Sequence, residues 1–197
     1  MKRILHIGTG GTIAAILSDE GYVPGITSKE LISQVPAIQS ICETDSIQVC
    51  NLDSTNITPE HWIDIAKAVR KNYDLYDGFV ITHGTDTMAY TAAGLSYLIQ
   101  SSPKPIVITG AQQPYGSAQT DVSRNITDAF FYACSDESAG VRIVFSGRVI
   151  AGTRGRKNYT RSFAAFDSVN FPSVAEVHSN KIIRFIHDDI YVTPIFA

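Results

Sequence analysis

A polar turn at Thr82–Thr87 holds the densest group of chemically useful side chains in this sequence. An apolar, strand-like run leads into it and a helix-like run leads out. In open α/β sheets, ligands bind beyond the carboxyl ends of strands, where helix N-termini offer unpaired N–H groups. Thr85 supplies a hydroxyl and Asp86 a carboxylate, and Gly84 lets the backbone approach a ligand closely. Helix capping is the ordinary alternative, but it does not account for the whole block.

A second polar turn follows the first apolar run and also ends in a threonine. It reads Gly8-Thr9-Gly10-Gly11-Thr12. A dinucleotide-binding fingerprint needs a third small residue at position 13, where Ile13 stands. We therefore interpret the glycines as a sharp turn that presents Thr12 to a ligand.

Two further polar segments complete the candidate set. Asp53–Asn56 ends another predicted strand and contains Ser54 and Thr55, which serve either as a capped loop or as binding groups beside Thr12. The segment 152–160 contains the one local basic cluster of the sequence. It is either a solvated loop or the source of a cation for the site.

These residue types favour chemistry with a hydroxyl nucleophile. A threonine hydroxyl is a weak nucleophile until a base takes its proton. Lys157 is a candidate base that Asp86 would orient, while Tyr22, on a polar loop, is either a hydrophobic anchor or a proton relay. Backbone N–H groups at the glycine-rich turns would hold a developing oxyanion. The set suits acyl transfer from a small polar amide or ester.

Composition excludes several other classes of function. A net charge of −3 argues against a partner held by nucleic-acid phosphates. Three cysteines without C-x-x-C spacing fit a reducing compartment and neither a disulfide framework nor a zinc site. No apolar stretch reaches membrane-spanning length, and His6 interrupts the one run that imitates a signal peptide. We expect a cytoplasmic protein, with His6 and His83 as hydrogen-bonded core residues.

The elements that must position these groups alternate between strand and helix. The order β-α-β-α-β-α-β-α-β predicts an α/β fold with a mainly parallel sheet and helices on both faces, doubly wound and flavodoxin-like. The polar strand ends would then gather at one edge of the sheet. For the tail we predict a C-terminal β-hairpin, formed by 181–185 and 190–192 around His187–Asp189.

Two of the segments together resemble a known family. Gly8–Ala14 and Ile81–Met88 are similar to the two signature motifs of the bacterial-type L-asparaginases. The resemblance extends through Leu52–Thr55, Thr109–Gln112 and Thr153–Lys157, and so covers nearly the whole chain. The Asp-Ser-Thr form of the segment at 53–55 looks more like the cytoplasmic type I branch than the periplasmic type II branch.

This resemblance implies an amidohydrolase that converts L-asparagine to L-aspartate and ammonia without a metal or organic cofactor. Thr12 would be the nucleophile, with Tyr22 closing over it. Thr85, Asp86 and Lys157 would form a second threonine triad.

The resemblance also implies a substrate-binding set. Ser54, Thr55 and Asp86 would bind the α-carboxylate and α-amino groups, and the carbonyl of Ala111 would accept from the side-chain amide. The remaining expected members of this set are Asp53, Gly84 and Thr85.

Members of the family carry a second, smaller α/β domain and form homodimers or homotetramers in which a partner completes each site. We therefore expect residues 1–197 to be the N-terminal catalytic domain without the C-terminal one, with weak or no activity alone, since catalysis needs close positioning. Alternatives are a glutaminase, the amidase component of a tRNA-dependent amidotransferase, or an amino-acid-binding or regulatory remnant.

Overall fold

The computed structural model describes residues 1–18, 21–187 and 191–197, and the side chains of 17–24 fall outside that description. The helices are α1 (Ser28–Ser33), α2 (Pro59–Asn72), α3 (Met88–Leu98) and α4 (Val122–Ala133). The strands are β1 (Arg3–Gly10), β2 (Ala15–Ser18), β3 (Gly21–Pro24), β4 (Glu43–Leu52), β5 (Gly78–Thr82), β6 (Ile99–Gln100), β7 (Pro105–Thr109), β8 (Gly140–Phe145), β9 (Arg148–Ala151), β10 (Gly155–Lys157), β11 (Phe166–Ser168), β12 (Ala175–His178), β13 (Lys181–Arg184) and β14 (Ile195–Phe196).

The central sheet has the order β13-β12-β9-β8-β7-β5-β1-β4. Its half from β4 to β8 is parallel, whereas β9, β12 and β13 add antiparallel pairs. Within the parallel half, β4 lies on the outer side of β1, and β5, β7 and β8 follow in that order on its other side. This flavodoxin-like order reverses direction between β1 and β5, the point at which open α/β sheets bind their ligands.

Helices pack on both faces of the sheet, because successive side chains of its central strands enter opposite cores. Val80 and Val107 face the core that contains α1 and α4. Phe79 and Ile81, their neighbours on β5, face the opposite core with α2 and α3. Because successive side chains of a strand point to opposite faces, a strand that is apolar throughout must be covered on both sides. The predicted doubly wound α/β fold is confirmed.

The starts of α1 and α2 follow from local sequence. Thr27 caps α1, and its backbone N–H donates to the carboxylate of Glu30 at 2.8 Å. Thr58 caps α2, with Pro59 in the first turn, where the missing N–H costs nothing. These caps set the residues at which α1 and α2 begin.

The C-terminal hairpin is present, but its predicted strand partner was wrong. Strand β13 pairs antiparallel with β12, so that Ala175 lies opposite Arg184. The turn lies at Ser179 and Asn180, which adopt φ values of 50° and 57°. The proposed turn at 187–189 lies partly outside the described residues.

Two histidines are buried in the core beneath the strand ends, as predicted. His6 bonds the hydroxyls of Thr82 at 2.9 Å and Ser46 at 3.3 Å. Burial lowers the pKa of His6 from 6.5 to about 3 and that of His83 to about 4. Both imidazoles are therefore neutral at physiological pH.

These histidines should make the protein lose stability as the pH falls. The unfolded chain protonates them near 6.5, while the folded protein keeps both neutral to a lower pH, so unfolding takes up protons. Below about pH 6.5, the free energy of unfolding should fall by up to ~1.4 kcal/mol per pH unit for each histidine, until the folded pKa is reached. Urea denaturation between neutral pH and about pH 4.5 measures this slope.

The substitution His6→Gln provides the control. An amide keeps a donor and an acceptor but does not titrate, so the slope should drop by one histidine's share even if overall stability is lower. An unchanged slope would show that His6 does not contribute to acid destabilisation.

Candidate functional site

The turns after β1 and β5 touch through their backbones. Gly11 adopts φ +81°, and a methyl group on it would lie 2.3 Å from the Cα of Gly84. No side chain can occupy that position without displacing the backbone of the other turn. Because Thr12 and Thr85 directly follow these glycines, the contact brings the two signature turns to one place.

The strand ends of β4 and β7 complete the floor of the same site. A methyl group on Gly84 would lie 2.7 Å from the hydroxyl of Ser54, whose backbone carbonyl accepts from Thr87 at 2.6 Å. A methyl group on Gly110 would lie 2.4 Å from the carbonyl of His83. The polar strand ends therefore gather at one edge of the sheet, as predicted.

Thr85, Asp86 and Lys157 form a hydrogen-bonded group. The Lys157 ammonium donates to the Thr85 hydroxyl and to the Asp86 carboxylate, both at 2.7 Å. Thr85 is buried, the side chain of Lys157 is 14% exposed, and that of Asp86 is 57% exposed. The cation therefore sits between a protected hydroxyl and a carboxylate that faces solvent.

Lys157 reaches this position on a short hairpin of β10 and β11, in which it lies opposite Phe166. The ring of Phe166 is buried, 4.9 Å from that of Phe145 on β8. Asp167 bonds Arg148 of β9 and accepts from the Asn158 amide at 2.7 Å. The basic segment is thus anchored to the sheet on both sides of Lys157.

Gln112 is a further member of the site that sequence reasoning did not select. Its side-chain oxygen accepts from the Thr85 hydroxyl at 3.1 Å, and its amide donates to the carbonyls of Ser162 at 3.0 Å and Tyr159 at 3.4 Å. It ties Thr85 to the loop beyond Lys157. The Thr109–Gln112 motif, which ends at this residue, was the sequence signal that could have identified Gln112 as part of the site.

Asp53 and Thr55 lie at the exposed rim, where the capping interpretation accounts for their contacts. The Asp53 carboxylate accepts from the N–H of Thr55 at 2.8 Å and from its hydroxyl at 2.6 Å. These bonds hold the pKa of Asp53 below its usual value. Ala111 is buried beside Gln112. The side chain of Tyr22 lies outside the described residues.

The arrangement provides hydroxyls, the Lys157 cation and the exposed carboxylates of Asp53 and Asp86, which suit acyl transfer. Neither buried histidine is available as an acid or base, because the ring nitrogens of both are already hydrogen-bonded. His6 bonds Thr82 and Ser46. His83 donates to the Gly84 carbonyl at 2.7 Å and bonds Thr91 at 2.9 Å. Within the described ranges, no group of three or more His, Cys, Asp or Glu could hold a metal ion. No helix in those ranges is long and apolar enough to cross a membrane.

The chain is similar to several known proteins. Residues 3–190 match the family profile described as Asparaginase, N-terminal. The L-asparaginase of Thermococcus kodakarensis is 36% identical over 183 residues, which are 92% of this chain and 55% of that protein. A component of the glutamyl-tRNA(Gln) amidotransferase of Pyrococcus furiosus is 37% identical over an alignment of 199 positions, which covers 96% of this chain and 45% of that protein.

Solved structures give the same result. The thermostable L-asparaginase from Thermococcus kodakarensis superposes with a TM-score of 0.88 at 33% identity, covering 98% of this chain and 60% of that one. A probable cytoplasmic L-asparaginase from Campylobacter jejuni gives 0.87 at 31%, covering 96% and 58%. The chain spans about half the length of the relatives that it matches.

The contact between the turns predicts that Gly11→Ala is more destabilising than its backbone conformation alone explains. Gly11 has φ +81° and ψ −178°, a backbone conformation essentially confined to glycine that should cost alanine about 1–3 kcal/mol, and the overlap with Gly84 should cost about 1–3 kcal/mol more. Gly116→Ala is the matched control, because Gly116 has φ +90° and open space around it. Urea denaturation of both variants measures the difference, and equal losses would rule out the backbone contact.

Proposed function

The chain belongs to the asparaginase family, and we propose that it hydrolyses L-asparagine to L-aspartate and ammonia through a threonine nucleophile. The observation that carries this proposal is the hydrogen-bonded group of Thr85, Asp86 and Lys157. It lies beside the turn that presents Thr12, because Gly11 and Gly84 are in contact.

In the proposed reaction, the hydroxyl of Thr12 attacks the side-chain amide carbon of asparagine and gives its proton to the base. The C–N bond breaks, the nitrogen takes up that proton and leaves as ammonia, and an ester joins the substrate to Thr12. Water then hydrolyses the ester, which releases aspartate and restores the hydroxyl. Backbone N–H groups of the glycine-rich turns stabilise the oxyanion of each step.

Lys157 is the base of this scheme, acting with Thr85, and it takes up the proton as a neutral amine. Its Nζ lies 2.7 Å from the Thr85 hydroxyl and is oriented by Asp86, so one hydrogen-bonded path joins the three groups. Burial of Thr85 supports this role, because a water-excluded hydroxyl exchanges protons with its partners and not with solvent. Tyr22 would close over Thr12 from the neighbouring loop.

Substrate recognition falls to the rim. Ser54, Thr55 and Asp86 would bind the α-carboxylate and α-amino groups, and Asp53, Gly84 and Thr85 complete this set. The carbonyl of Ala111 would accept from the side-chain amide. The geometry of Asp86 supports its role in binding, because Lys157 bonds only one of its carboxylate oxygens and the side chain faces solvent.

The family also supports a proposal about domain content, location and assembly. We propose that residues 1–197 form the catalytic domain, that the protein is cytoplasmic, and that it works in a homo-oligomer. The three free cysteines fit a reducing compartment.

A second candidate is an amidase that supplies ammonia to a tRNA-dependent amidotransferase, or a glutaminase. The similarity to a glutamyl-tRNA(Gln) amidotransferase component over 96% of this chain favours it. Asparagine and glutamine differ by one methylene, which a pocket distinguishes by ~1–3 kcal/mol. Release of ammonia from L-glutamine, measured beside that from L-asparagine, separates these substrates.

The nucleophile is tested by substituting each signature threonine. Thr12→Ala and Thr85→Val should each lower ammonia release from L-asparagine by at least about a thousandfold. Thermal unfolding by circular dichroism should remain close to that of the parent chain. Near-parental turnover by Thr12→Ala would show that another group attacks the substrate.

The base is tested by Lys157→Met. Loss of a positioned general base should lower kcat by about a hundredfold or more. Arg156→Met is the control, because Arg156 is exposed on the same strand, and its kcat should stay within about twofold of the parent. Equal effects of the two substitutions would point to the hairpin and not to Lys157.

A further inference from the structure

Asp121 stands at the start of α4 but does not cap that helix. The hydroxyl of Thr120 accepts from the N–H of Val122 instead, at 3.2 Å. The Asp121 carboxylate is turned toward the segment after β7. It accepts from the backbone N–H groups of Gln112 and Gln113, each at 3.0 Å.

Asn125, one turn later, is fully buried on the same helix and also serves that segment. Its amide nitrogen donates to the carbonyl of Gly110 at 2.9 Å and to Asp121 at 3.0 Å. Its amide oxygen accepts from the N–H of Ser146, in the turn between β8 and β9, at 3.0 Å. We call Asp121 and Asn125 the α4 clamp.

The clamp fixes the direction of one particular carbonyl. The peptide bond is planar and trans, so the C=O of one residue and the N–H of the next point in opposite directions. The Gln112 N–H points to Asp121, and therefore the Ala111 carbonyl points away from α4. Asn125 donates to the carbonyl of Gly110, and this bond fixes the orientation of the peptide between Gly110 and Ala111 in the same way.

We propose that the α4 clamp is a positioning device that aims the Ala111 carbonyl at the side-chain amide of the substrate. This inference rests on the proposed function. Asp121 and Asn125 touch no reacting atom, and they act through the turn at 110–113. That turn also places the Gln112 side chain against the Thr85 hydroxyl, so the clamp sets two sides of the site together.

The choice of residues fits positioning better than helix stability. An aspartate at a helix start ordinarily bonds the helix's own N–H groups, and an asparagine is a poor residue for a helix interior. Both side chains are buried and bond other segments, where hydrogen bonds to a charged group are the stronger kind.

The first arm of the test measures the hold on the turn. In the 197-residue chain, Asp121→Asn should speed amide hydrogen exchange at Gln112 and Gln113 by about tenfold, with little change within α4. Asp128→Asn is the matched control on the same helix, at a carboxylate that pairs with Arg124. Unchanged exchange at both amides would overturn the clamp, whatever the chain binds.

The second arm separates positioning from general support. In a Thr12→Ala background, calorimetry with L-asparagine and L-aspartate measures binding without turnover. Only L-asparagine has a side-chain amide N–H for the Ala111 carbonyl, so Asp121→Asn should weaken its binding by about three- to tenfold. Binding of L-aspartate should change by less than about twofold. Equal weakening of both ligands would reduce the clamp to a structural role.

Asp121→Ser guards against a variant that fails to fold, because serine is a good helix cap but lacks the carboxylate. It should reproduce both effects. A Thr12→Ala chain that binds neither ligand would contradict the proposed function and the catalytic part of this inference. The exchange measurement would still decide the hold on the turn.

Discussion

The contact between the backbones of Gly11 and Gly84 is the constraint on which the site depends. Adjacent parallel strands lie about 4.8 Å apart, and the turns that leave β1 and β5 approach each other so closely that a methyl group on Gly11 would lie 2.3 Å from the Cα of Gly84. Thr12 and Thr85 directly follow these two glycines in the sequence. The topology supplies the rest, since the order of the parallel strands reverses between β1 and β5.

Much of this fold could be predicted from the sequence, because the signals are local. Buried parallel strands are apolar throughout, caps precede α1 and α2, and polar residues mark each strand end. The hairpin partner was wrong because its turn has no glycine. Ser179 and Asn180 adopt left-handed backbone angles, so the break between β12 and β13 carries only a weak sequence signal.

The contacts of the site were less predictable, because they depend on distant pairings. Lys157 meets Thr85 only after β10 pairs with β11 and the hairpin packs on the sheet, and nothing local encodes that register. Asn125 did leave a signal. It falls on the buried stripe of α4 beside Val122 and Ile126, where a polar side chain needs partners.

Solvent exposure differs between the groups proposed for chemistry and those proposed for substrate binding. Thr85 and Lys157 are largely protected from water, so their hydrogen bonds act in a low-dielectric setting. Asp86 is mostly exposed, and exposed ion pairs contribute at most about 1 kcal/mol. The groups proposed for chemistry are therefore assembled within this chain, whereas those proposed for the charged end of the substrate are screened by solvent. A surface that covered Asp86 would raise affinity for an α-amino group far more than it would alter the attacking groups, because removing water strengthens charge pairing at the rim.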